Sequence, residues 1–146
     1  MIDLEKLQTM WSQDSKIDID NLHTESLNTP VLHAKYFDIY NNLKLLKKKA
    51  EQQRKNTWIQ RYEYYTGKAD PEVYIDQPFP RKIREKDVLQ KYLDADESLA
   101  KITLKLDYYD VLIDYVQDIL KSIHNRTYQI KNSLDFIKIS SGMGWI

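Results

Sequence analysis

The sequence predicts an all-α protein: two long helices joined by a loop of about 20 residues, with a short N-terminal helical segment, assembled as a homo-oligomeric ring or bundle. Three observations predict it. Apolar residues recur at alternating steps of three and four through two long stretches. The chain carries only 3 Gly and 4 Pro in 146 residues, too few for a loop-rich fold. Three of those prolines and one glycine cluster between the two stretches, at Gly67, Pro71, Pro78 and Pro80.

The expected organisation is one helical domain over 1–146, in five parts. Residues 1–29 form an N-terminal segment, in which Leu4, Leu7 and Trp11 are spaced for a short amphipathic helix. Residues 30–66 form a basic long helix. Thr29 is its expected N-cap, Pro30 its first helical residue and Gly67 its left-handed C-terminal cap. Its seam reads Leu32, Tyr36, Ile39, Leu43, Leu46 and Ala50. Residues 67–87 form a loop in which Val73-Tyr74-Ile75 allows a short extended piece. Residues 88–139 form the second long helix. Its oligomerisation seam is read as Leu99, Ile102, Leu106, Tyr109, Ile113, Val116, Leu120 and Ile123, continuing to Ile137. Residues 140–146 form a loose tail whose Trp145 and Ile146 are available to dock.

Helices of about 54 and 75 Å do not fit a compact globule of radius of gyration near ~15 Å. Either they break, near Asn125 or Asn132-Ser133, or their seams are buried between subunits. The wide apolar face of the second helix favours subunits; the alternative is a monomeric antiparallel bundle.

There are no cysteines, which removes disulfides, thiolate zinc sites and cysteine nucleophiles. The polar N-terminus lacks the apolar core of a secretory signal. No stretch approaches the ~20 apolar residues of a membrane span. The expected location is the cytoplasm. His23, His33 and His124 lack metal-ligand spacing, and neither GxxxxGK[ST] nor GxGxxG occurs. No cofactor, metal or enzymatic activity is expected.

Net charge is zero, but it is unevenly distributed. Residues 44–68 hold eight Lys and Arg against two Glu, and residues 94–118 hold seven Asp and Glu against two Lys. The acidic stripe Asp107, Asp110, Asp114 and Asp118 suits solvent or a basic helix of another subunit; one straight helix cannot wrap a hard cation.

On a helical wheel, Lys47, Lys48, Arg54, Lys55, Trp58, Arg61 and Tyr65 share one flank beside the seam, with Lys68 just beyond and Glu51 interrupting the segregation. Cations beside rings suit single-stranded nucleic acid, which offers a phosphate at each nucleotide and unpaired bases for stacking. A duplex hides those base faces. The competing readings are packing plus solvation, with tyrosines at a subunit rim, and a structural coiled-coil or scaffold oligomer with no nucleic-acid role.

Residues 15–70 resemble the core of the UvsY recombination mediators of T-even-like phages. The shared frame is Ile17-Asp18, then Leu22, Glu25, Leu32 and Lys35. It closes on a basic helix ending Arg-x-x-Tyr-Tyr-x-Gly, here Arg61, Tyr64, Tyr65 and Gly67. The resemblance implies a homo-oligomer, a hexamer or heptamer, that binds single-stranded DNA. It implies a mediator that helps a RecA-type recombinase load onto strands coated by the phage single-strand-binding protein. The family's lysine two residues before the arginine is Ile59 here, so the arginine carries over and the lysine does not.

Overall fold

The computed structural model describes residues 2–142. Trp145 and Ile146, expected to be able to dock, lie outside the described residues. Among the described residues the regular elements are helices, without strands. They are α1 (Leu4–Asp14), a single 3-10 turn (Ile19–Asn21), α2 (Leu22–Tyr65), α3 (Pro71–Asp76), α4 (Lys86–Asp94) and α5 (Glu97–Ser140). The two helices of 44 residues each and the short N-terminal helix are the expected fold class.

The chain divides into two compact units. Unit 1 comprises Met1–Lys44 with Val111–Ile146, and unit 2 comprises Leu45–Asp110.

Unit 1 is built on α1 and the N-terminal part of α2. Asp3 caps α1 by accepting from Lys6 N at 2.8 Å. Leu7 is fully buried, and the Trp11 ring meets Tyr36 edge-on with centroids 5.5 Å apart. Asp14 accepts from Lys35 Nζ at 2.6 Å and from the Tyr36 hydroxyl at 2.7 Å. Burial works to raise the Asp14 pKa, but these two hydrogen bonds and the Lys35 charge hold it below the usual carboxylate value.

Helix α2 starts eight residues earlier than the expected Pro30, and Pro30 lies in its interior. An interior proline lacks the amide that would bond residue 26 and crowds that carbonyl. Donors from outside the helix ladder stabilise this region. Arg126, buried to 3% exposure, donates from Nη2 to the Glu25 carbonyl at 3.3 Å and to Glu25 Oε2 at 2.8 Å. Its Nε donates to Thr29 Oγ1 at 3.2 Å, and Thr29 Oγ1 donates to the same Glu25 carbonyl.

In unit 2, Gly67 (φ +78°) ends α2, as the sequence predicts. Gly67 N donates to Tyr64 O and Lys68 N donates to Glu63 O at 2.8 Å, the paired bonds of a Schellman cap. The loop holds α3, where an extended piece is expected: Asp70-Pro71 supplies a helix start with proline in the first turn. Ile83, 4% exposed, pins the following segment by donating its amide to Tyr65 O at 3.0 Å. The expected second helix is two helices. Ala95 and Asp96 separate α4 from α5, and Asp96 caps α5 by accepting from Leu99 N at 3.0 Å. An aspartate satisfies amides at a helix start better than it serves a helix interior.

The oligomerisation seam also needs correction. Leu99, Tyr109, Val116 and Ile123 are at most 4% exposed within a single chain, so they belong to its own core. Between Tyr109 and Ile130 the buried row of α5 runs Leu112, Val116, Ile119, Ile123 and Arg126. Ile113 and Leu120 are half-buried and Thr127 is exposed. Two neighbouring rows share the same three-and-four spacing, and periodicity alone does not choose between them. Ile102 and Leu106 are half-buried. The more exposed large apolar side chains of α5 are Leu104, Val111, Tyr128, Leu134, Phe136, Ile137 and Ile139.

Candidate nucleic-acid interface

Unit 2 holds the basic-aromatic stretch of α2. Its eight candidate residues separate by what their side chains touch.

Lys47, Arg54 and Arg61 stand seven residues apart, two helical turns, and so share a row. Each meets a residue of the α5 segment or its cap, stepping seven in the opposite direction. Lys47 Nζ lies 2.6 Å from Asp110 Oδ1, Arg54 Nε donates to Thr103 Oγ1 at 3.3 Å, and Arg61 Nε donates to Asp96 Oδ2 at 2.6 Å. These are antiparallel helices in heptad register. The basic and acidic blocks of the sequence meet here inside one chain. Of the acidic stripe, Asp110 takes part, while Asp107, Asp114 and Asp118 are exposed.

The lowest rung is a closed polar knot. Asp96 Oδ2 also accepts from the Tyr65 hydroxyl at 2.6 Å. Arg61 Nη2 donates to that hydroxyl at 3.3 Å, and its guanidinium carbon stands 4.3 Å from the Tyr64 ring centroid. Burial works to raise the Asp96 pKa. The hydrogen bonds from Tyr65, the Leu99 amide and Arg61, with the Arg61 charge, outweigh it and hold the carboxyl low. Burial likewise pushes the Tyr65 phenol up, assisted by Asp96 and opposed by Arg61.

Tyr65 is 8% exposed and belongs to a cluster with Tyr64, Ile83, Leu93 and Leu99, flanked by Tyr74, Phe79 and Tyr92. The Arg-x-x-Tyr-Tyr stretch is therefore largely interior. Expected as a stacking ring, Tyr65 is instead a core residue, because the 67–86 segment folds back over it. The same fold-back covers Arg61, whose side chain is 19% exposed. Lys47 is half-buried and paired.

Lys48, Arg54, Lys55, Trp58 and Lys68 remain exposed. Trp58 is 37% exposed, with one face stacked on Tyr62 at 5.3 Å and 22°. Arg54 lies one turn before it, with its Nε engaged by Thr103.

The loop adds cations that the sequence reading missed. Arg81, Lys82 and Arg84 are exposed on either side of the buried Ile83, and the Lys82 stem lies against Gly67, where an added Cβ would come within 2.7 Å of it. This brings Lys82 beside the end of α2. The alternation of one buried isoleucine inside a run of Arg and Lys was the available signal.

No helix among the described residues is long and apolar enough to cross a membrane.

The geometry can be set beside known proteins. Residues 10–143 match the family described as recombination, repair and ssDNA binding protein UvsY. The recombination protein uvsY of Enterobacteria phage T4 is 27% identical over 139 residues, covering 95% of this chain and 98% of that protein. Crystal structures of the bacteriophage T4 recombination mediator protein UvsY superpose on it. One has a TM-score of 0.83 at 27% identity, covering 97% of this chain and 99% of that one. Another has a TM-score of 0.81 at 25% identity, covering 95% and 99%. With a matching profile over nearly its whole length and the same helical fold, the chain belongs to the UvsY family of recombination, repair and single-stranded-DNA-binding proteins.

Proposed function

We propose that this chain is a recombination mediator of phage homologous recombination and repair, acting by binding rather than by chemistry. It holds single-stranded DNA and promotes loading of a RecA-type recombinase onto strands coated by the phage single-strand-binding protein. The site of action is the cytoplasm of the infected host. The observation that carries the reading is the pair Arg54 and Trp58, one helical turn apart and both exposed, between Lys48 and Lys55. The cations meet phosphates, and the indole stacks on an unpaired base for roughly 1–3 kcal/mol. Lys68 with Arg81, Lys82 and Arg84 extends the cationic surface within unit 2.

One such surface neutralises few phosphates and binds weakly. A homo-oligomer, a hexamer or heptamer, presents several, and avidity can raise the affinity by orders of magnitude. The apolar residues left open near the end of α5, Leu134, Phe136, Ile137 and Ile139, support self-association. DNA held this way is shaped to suit one partner protein better than another, which is all that exchange requires.

A titration of labelled oligonucleotides at two salt concentrations tests the reading. Single strands should bind more tightly than duplex of the same sequence, and affinity should fall with a slope of about −0.7 per phosphate neutralised. Absence of binding at low salt, or equal binding of duplex, overturns it.

A further inference from the structure

Within unit 2, α2, α4 and α5 border a groove of about 440 Å³, in the range of small-ligand clefts. Leu93 and Leu99, each 4% exposed, give it an apolar floor. Trp58 is one wall, braced by Tyr62. The rim carries Arg54, Gln90 and Asp94.

We propose that this groove seats one nucleobase of the bound strand and selects guanine. The inference rests on the reading that α2 grips single strands. An apolar floor beside an indole suits the flat face of a base, and the Arg54 guanidinium at the rim suits the adjoining phosphate. Asp94 sets the identity of the base. Its Oδ1 accepts from Gln90 Nε2 at 2.7 Å, which orients the carboxylate, and an ionised carboxylate only accepts. Guanine alone presents two adjacent donors on its Watson–Crick edge, N1–H and the 2-amino group, spaced for the two oxygens of a carboxylate. Adenine and cytosine present one amino group beside a ring nitrogen that also accepts, which the carboxylate repels. Thymine presents one imino N–H between two carbonyls. Trp58 therefore grips any base, and Asp94 ranks them.

The test uses the full chain and thymine-rich strands in which every fourth base is guanine, hypoxanthine, adenine or an abasic spacer. Hypoxanthine keeps N1–H and lacks only the 2-amino group. The guanine strand should bind about five- to tenfold more tightly than the hypoxanthine strand, the discrimination expected of a bidentate base contact. Asp94→Asn should bring that ratio to about one while affinity for plain thymine strands holds. The guanine strand should quench tryptophan fluorescence more than the abasic strand, a difference that Trp58→Phe should reduce. Equal affinity for guanine and hypoxanthine, or a preference that survives Asp94→Asn, overturns the inference and leaves single-strand binding intact. Failure to bind any strand overturns both.

Discussion

Arg61 donates from Nε to Oδ2 of Asp96 at 2.6 Å, joining the last turns of α2 to the N-cap of α5. The Asp96 side chain is 2% exposed and that of Arg61 19%. Removing one partner of a buried pair leaves the other uncompensated, which typically costs more than the pair contributes. Arg61→Ala should therefore lower unfolding free energy by about 3 kcal/mol, read by urea denaturation. Any fall in DNA binding in that variant must be compared with its decline in folded protein.

Acid should act on the same knot. The folded pKa values of Asp96 and Asp14 both lie below their ordinary value of 3.8. Their stabilisation is complete above the unfolded value and is lost as pH falls through the lowered one. Stability measured by urea at successive pH values should decline below about pH 4, and Asp96→Asn should flatten part of that decline. The Tyr36 phenol is raised by burial and by Asp14. Its contribution is present below pH 10 and is lost only as alkali approaches the raised value.

Lys48 and Lys55 are exposed, and their side chains are absent from the helix-pairing ladder. Lys48→Ala with Lys55→Ala should weaken single-strand binding and reduce the salt slope by about 0.7 for each phosphate no longer neutralised. The thermal midpoint should stay within a degree or two of the parent, since exposed substitutions shift stability by about 0.5 kcal/mol or less. Lys47→Ala should show the converse balance, because Lys47 spends its charge on Asp110.

The two rows of α5 should separate in solution. Phe136→Asp with Ile139→Asp changes residues that are 70% and 60% exposed, and should reduce the mass of the assembly seen by light scattering while helicity remains. Val116→Asp places a charge at a position with 0% exposure and should unfold the chain instead. If the Phe136 and Ile139 changes leave the mass unaltered, the proposed self-association through the end of α5 is overturned.

Gly67→Ala should cost about 1 kcal/mol or more. The left-handed φ penalises a side chain, and the new methyl would press on the Lys82 stem. The affected region is the cap and the cationic segment beside it, so DNA affinity should fall along with thermal stability.

Periodicity made the two long helices legible, and Gly67 made the end of the first legible. Pro30 misled because it lies inside a helix beside a side-chain network, in which Arg126, far along the chain and silent in any local pattern, bonds Glu25 and Thr29. Asp96 misled because a capping aspartate within an apolar repeat resembles any charged helix residue until Tyr65 and Arg61 converge on it. The basic flank was visible as a set of residue types, but the division of its members was not. Arg54 and Arg61 occupy the same row of the same helix. They differ because Thr103 takes one nitrogen of Arg54, whereas all three nitrogens of Arg61 are taken, Nε by Asp96, Nη1 by Gln77 and Nη2 by Tyr65. Thr103, Asp96 and Gln77 lie outside α2, and the α2 sequence carries no trace of them.

The seven-residue ladder also governs how genetics on this protein reads out. A selection for recombination-deficient alleles will recover substitutions at Lys47 and Arg61 alongside those at Lys48 and Lys55, and the phenotypes will look alike. Second-site suppressors distinguish them. An allele at Lys47 should be rescued by a change at Asp110 that restores complementarity, whereas Lys48 and Lys55 have no such mate among the described residues.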